Sequence, residues 1–153
     1  MTKTQNMDGE LNLVKLCVGV DSVSHLADFQ KRRAAGQIAA GQEPLQRHVT
    51  RMWPRREAEL LEGGSIYWVI KGVVQSCQRI IRLDEVIGED GIRRCGIVLD
   101  PRLYHTHPQP KRPFQGWRYL KPEDAPEIGA PFEPGEETLP VALQSELAAL
   151  GVL

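Results

Sequence analysis

The chain contains three cysteines, Cys17, Cys77 and Cys95, and no Cys-x-x-Cys. An odd number without paired spacing encodes neither a disulfide framework nor a zinc knuckle. Each cysteine falls in an apolar, strand-like run, where a thiol usually serves as a small buried hydrophobe. No stretch approaches the ~20 apolar residues that span a bilayer. The opening MTKTQNMDGE is polar and lacks the apolar centre of a signal peptide. A reduced, soluble cytoplasmic protein with no membrane association is therefore expected. Catalytic signatures are missing as well, with no GxSxG, HExxH or Walker lysine. Gly63-Gly64 is not a GxGxxG, and it leads into a strand rather than opening a helix, so it offers no helix N-terminus to a phosphate.

A large excess of one charge is also absent. The formal net charge is −1, which argues against wholesale polyelectrolyte binding, but the distribution is uneven. Residues 1–46 are balanced, residues 47–118 carry thirteen Lys/Arg against eight Asp/Glu, and residues 119–153 carry one Lys against seven acids. A basic body with an acidic tail can mark a nucleic-acid surface, or a tail that neutralises its own domain. At 153 residues, with 41% hydrophobic and 25% charged residues, the chain suits one domain with a real core.

Alternation in LNLVKLCVGV predicts a first strand, with Leu11, Leu13, Lys15 and Cys17 on one side. Asp21 or Ser22 caps a helix with Val23, Leu26, Ala27 and Ala34 on its buried stripe, ending at Gly36. Residues 45–53 read as a short strand closed by Pro54, which also fits the first position of a helix over 54–62 that Gly63 stops. Strands follow over 66–71 and 73–83, with Gly72 permitting a bend or bulge between them. GEDG is a hairpin turn, RRCGIVLD the return strand, and LYHTH a further short strand. The Pro-rich stretch after it reads as a long loop or a wrap over the body. Residues 140–150 read as an apolar terminal helix. The domain organisation expected is a disordered N-terminus over 1–10, one domain over 11–128, and an acidic Pro-rich segment with a C-terminal helix over 129–153. The fold class is α+β, a curved, mostly antiparallel sheet or small closed barrel flanked by helices.

His105 and His107 share a strand face and could ligate one metal, but two histidines fall short of the four ligands of a closed site. No metal or other cofactor is expected. Cys77 lies on a strand face with Gln75 and Arg79, which makes it the least ordinary of the cysteines and a weak nucleophile candidate with His105 or His107. Arginines form the stronger pattern. Arg51, Arg55 and Arg56 cluster where the second helix begins, a position that opposes the helix dipole and suits an anion. Arg93 and Arg94 flank the hairpin, and Arg118 follows later. Trp53, Trp117 and Tyr119 interleave aromatic faces with this set, the combination that single-stranded nucleic acid uses for phosphate pairing and base stacking. The plainer reading pairs the arginines with Glu57, Glu59, Asp84 and Asp90, and buries Trp68 and Phe114 in the core.

KLCVGVDSV, RMWPRREAELLEGGSIYWVIKG, DGIRRCGIVLDP and FQGWRYLKPEDAP, in this order, resemble Domain of unknown function 1489, an alphaproteobacterial family. The resemblance covers roughly residues 11–128 and implies a small stand-alone cytoplasmic bacterial protein, with no catalytic residues to transfer. A looser likeness in architecture, over residues 55–83, is to the PUA-like superfamily with its ASCH and EVE domains, small β-barrels associated with RNA or modified bases. Residues 65–71 read Ser-Ile-Tyr-Trp-Val-Ile-Lys, without the charged signature of the ASCH pattern. Three functions follow as expectations. The first is a non-enzymatic module for RNA or single-stranded nucleic acid. The second is a small enzyme or anion-binding protein with a pocket near Cys77, Arg79, His105 and His107. The third is an adaptor that meets a protein partner through the C-terminal helix.

Overall fold

Both faces of Ser65–Ile70 are buried, so this strand lies in the middle of the molecule. The computed structural model describes residues 10–133. The expected N-terminal disorder, apart from its last residue, and the expected terminal helix lie outside the described residues. Within them the order is β1 (Asn12–Leu16), α1 (Val23–Ala39), β2 (Gln46–Thr50), α2 (Glu57–Leu60), β3 (Ser65–Ile70), β4 (Val73–Ile87), β5 (Arg93–Leu99), β6 (Tyr104–Pro110), β7 (Trp117–Leu120) and β8 (Ile128–Pro131). The strands form one sheet in the order β2-β5-β4-β3-β1-β7, with β6 on β4 and β8 on β6. The architecture is α+β, mostly antiparallel, and β1 lies parallel to β3 with Lys15 level with Trp68.

Helix α1 begins as its sequence asks, with the Ser22 hydroxyl accepting from the His25 amide at 3.1 Å. It does not end at Gly36. The helix runs on to Ala39 because the next residue, Gln37, is bound at both ends of its amide to the Leu45 backbone, at 2.8 and 3.2 Å. Closure comes at Gly41, in the left-handed region at φ 78°, where Gln42 N donates to Gln37 O and Gly41 N to Ile38 O. The second helix is shorter than expected, four residues opening at Glu57 rather than Pro54.

Gly63 takes φ 104°, as the stop after α2 requires. Gly64 is constrained by space, since a Cβ there would lie 2.1 Å from the Leu11 carbonyl oxygen and 2.6 Å from that of Leu60. Lys71 and Gly72, both at positive φ, make a two-residue hairpin between β3 and β4 in place of a simple bend. β4 carries the curvature. Its register shifts at Gln75 against β3 and at Ile81 against β5, and extra residues of this kind bend and twist a strand.

The Pro-rich segment is an ordered wrap that also contributes strands. β7 pairs with β1, and β8 pairs with β6 across the expected boundary at residue 128. Phe114, Ala125 and Ile128 cover Val14, Tyr67, Val69, Val74 and Cys77 on one face of the sheet. On the other face Leu13, Ile66, Trp68, Ile70, Ile97 and Leu99 pack against Val23 and Leu26 of α1.

The end strands of the sheet, β2 and β7, share no ladder but are tied together. Trp117 Nε1 donates to Met52 O at 2.9 Å, and the Arg56 amide donates to the Tyr119 hydroxyl at 3.1 Å. The open sheet is thus curled so that its ends meet along a seam.

Candidate functional site

Five of the residues singled out for nucleic-acid or anion binding meet on this seam. Trp117 and Tyr119 project from the same face of β7 and contact each other edge-on, with centroids 4.9 Å apart. Arg56 lies over the Tyr119 ring at 5.5 Å, and Arg93 lies over the Trp53 ring at 4.3 Å. Trp53, Trp117 and Tyr119 are half-buried and also pack on the main core. Arg51 and Arg55 are exposed on the same connection, and among the described residues neither forms an ion pair.

The other two arginines go elsewhere. Arg118 points to the opposite face of β7, over Phe114 at 5.5 Å, and Arg94 alternates away from Arg93 to bind Asp90 at 2.8 Å. Carboxylates also hold Arg56, through Glu59, and Arg93, through Glu85. The Arg94 guanidinium and the Ile92 amide hold the Asp90 carboxyl down to about 2. The plainer pairing therefore accounts for Arg56 and Arg94 as well as for the neighbouring Arg82–Asp84 pair. Trp68 is core, at 3% exposure.

Cys77, His105 and His107 are not brought together. Cys77 stands opposite Tyr104 and Ser76 opposite His105, so the thiol and the His105 ring leave the sheet on opposite faces. His105 packs on Phe132, and His107 is exposed. A cavity of about 320 Å³ holds Cys77, Arg79, Asp100 and Tyr104, but burial pushes the Cys77 thiol up to about 12. At that value no thiolate forms near neutral pH. Among the described residues no three His, Cys, Asp or Glu side chains gather so as to hold a metal ion.

Sequence reasoning missed a second cavity, of about 250 Å³, where the C-terminal end of β1 and helix α1 meet β2. Lys15, Arg33, His48 and Trp68 line it, and no carboxylate does. His48 meets Trp68 edge-on at 5.3 Å. Burial, reinforced by Lys15 and Arg33, pushes the imidazole down to about 4, so it is neutral at physiological pH. Its Nε2 is buried without a hydrogen-bond partner. Arg33 is held in place, stacked on Phe29 at 4.9 Å and donating to Arg47 O at 2.9 Å. Trp68 is fixed by Gln78, whose Oε1 accepts from Trp68 Nε1 and Gln30 Nε2, each at 2.9 Å. The visible signal was Lys15, a cation on the inward face of an alternating strand. A larger cleft, of about 510 Å³ between α1 and the β8 end, mixes Asp28 and Glu133 with Lys31 and Arg102 and so favours neither charge.

These features define an α+β protein whose curled sheet carries an arginine–aromatic seam beside a cationic cavity. The chain belongs to the family described as Protein of unknown function (DUF1489), whose model matches residues 13–153. No curated protein matches the chain, and no solved structure does. Among the described residues no helix is long and apolar enough to cross a membrane.

Proposed function

We propose that this protein is a non-enzymatic, cytoplasmic module that binds RNA or other single-stranded nucleic acid along the β2–β7 seam. The observation that carries the reading is the run of residues 45–56, which follows the edge strand β2 and its exit. It holds Arg47, Arg51, Arg55 and Arg56 and no carboxylate. Arg51 and Arg55 are exposed without an ion pair among the described residues, next to half-buried Trp53, Trp117 and Tyr119. Free guanidinium groups neutralise phosphates, and a neighbouring aromatic edge offers a base somewhere to stack. Arg56 and Arg93 are already bound to carboxylates and contribute orientation more than charge.

The test is the anisotropy of a labelled single-stranded RNA of mixed sequence, titrated with the full chain at low and at moderate salt. Contacts to three phosphates give a log–log salt slope of about −2, so affinity falls roughly twentyfold for a fourfold rise in salt. The Arg51→Glu/Arg55→Glu variant loses most of the binding at low salt. No binding at low salt, or equal binding by the variant, rejects the reading.

A further inference from the structure

We propose that the cavity between β1, β2 and α1 is a binding site for a small organic anion with a flat apolar body, its charge a carboxylate or a phosphate. Lys15 and Arg33 are the reason for the charge. Lys15 shares the inward face of β1 with Leu13 and stands level with Trp68 and opposite Trp117. Neither Lys15 nor Arg33 has an ion-pair partner among the described residues, and no carboxylate lines the cavity. An incoming anion gives the two cations a charged partner that the described residues do not supply.

The walls set the rest of the ligand. Trp68, Leu26, Val20 and Leu99 supply apolar surface, and the His48 ring stands edge-on to the indole. His48 is neutral at physiological pH, so the positive charge belongs to Lys15 and Arg33, with Arg47 nearby but its stem packed against the Gly96 backbone. The unpartnered Nε2 of His48 leaves the wall with hydrogen-bonding capacity that the protein itself does not use. A volume of about 250 Å³ lies just under the ~300–1,000 Å³ of drug-sized pockets, which restricts the ligand to roughly the size of one aromatic ring system. The mouth is marked by Val18, 86% exposed, and Phe29, 44% exposed, both apolar and both beside the cavity. Arg33 stacks on Phe29, so its guanidinium is positioned before any ligand arrives.

This site stands apart from the nucleic-acid reading, because Arg51 and Arg55 do not line it. The full chain is titrated by calorimetry with benzoate, with phenyl phosphate, with inorganic phosphate and with uncharged benzamide. Benzoate or phenyl phosphate binds saturably, and whichever does so identifies the charged group. Benzamide does not bind, and phosphate alone binds more weakly than the organic anion. Lys15→Met and Arg33→Met each weaken binding about tenfold or more, as loss of a charge-assisted hydrogen bond does. Absence of binding by both organic anions at millimolar concentration overturns the proposal. So does unchanged affinity in both variants, or phosphate binding as tightly as the organic anion. The Arg51→Glu/Arg55→Glu chain retains this binding, so failure of one reading is distinguishable from failure of the other.

Discussion

His48 meets Trp68 edge to face, with ring centroids 5.3 Å apart and planes at 83°. The contact holds an imidazole against apolar surface between two cations, and its titration follows. Unfolded, the ring titrates near 6.5; folded, burial, Lys15 and Arg33 bring it down to about 4. Between these values the unfolded chain carries a proton that the folded chain does not. Stability is therefore full above about 6.5 and declines as pH falls through about 4. The total loss is roughly 2–4 kcal/mol. Urea unfolding across this window measures it, and His48→Phe flattens the slope.

Gln78 is fully buried and holds α1 to the sheet by accepting from Trp68 and exchanging amide hydrogen bonds with Gln30. Gln78→Ala strands the Trp68 Nε1 donor and the Gln30 amide together. The expected cost is about 3 kcal/mol or more, larger than for a single exposed bond, because buried partners are left unpaired. Denaturant midpoints at constant m-value would check this.

The seam bonds are smaller. Trp117→Phe removes the donor to Met52 O, and Tyr119→Phe removes the acceptor of the Arg56 amide. Each should cost about 1 kcal/mol. Hydrogen exchange at the Arg56 amide accelerates in Tyr119→Phe, while amides of β3 keep their protection. Uniform loss of protection would mean that the seam is not a local closure.

Two glycines separate space from conformation. Gly64→Ala forces a Cβ against two backbone carbonyls and should cost roughly 3 kcal/mol or more. Gly36→Ala, inside α1 with nothing within 4 Å, should stabilise by roughly 0.5–1 kcal/mol. Thermal unfolding of both variants gives opposite signs.

Thiol reactivity provides a further contrast. Burial raises Cys77 to about 12 and Cys17 to about 11, outweighing at Cys17 the pull of Lys15. Native protein at mild alkaline pH should react slowly with a disulfide reagent, with half-buried Cys17 first and Cys77 only after denaturation. Rapid labelling of Cys77 would return it to consideration as a nucleophile.

Local chemistry was the legible part of the chain. The Ser22 cap, the Gly63 stop and the GEDG turn are written in short-range pattern and appear as expected. What a window of residues cannot display is partnership at a distance. The end of α1 depended on Gln37 finding Leu45, and β7 became a strand because β1 offered it an open edge. The arginine–aromatic set was foreseeable from residue types, and its division by strand alternation followed only from register. Lys15 shows the limit most plainly. Its inward position was visible in LNLVKL, while the absence of any neighbouring carboxylate required the fold.

The placement of β1 has a further consequence for the order in which the molecule is made. Among the described strands this one leaves the ribosome first, yet its two neighbours are β3 and β7, the latter followed there only by β8. Until β7 arrives, β1 exposes one of its edges, and until β3 arrives it exposes both. Closure of the sheet is therefore timed by the C-terminal part of the domain. A nascent chain halted before Trp117 carries an unpaired hydrophobic edge, the kind of surface that chaperones engage and that neighbouring copies can capture.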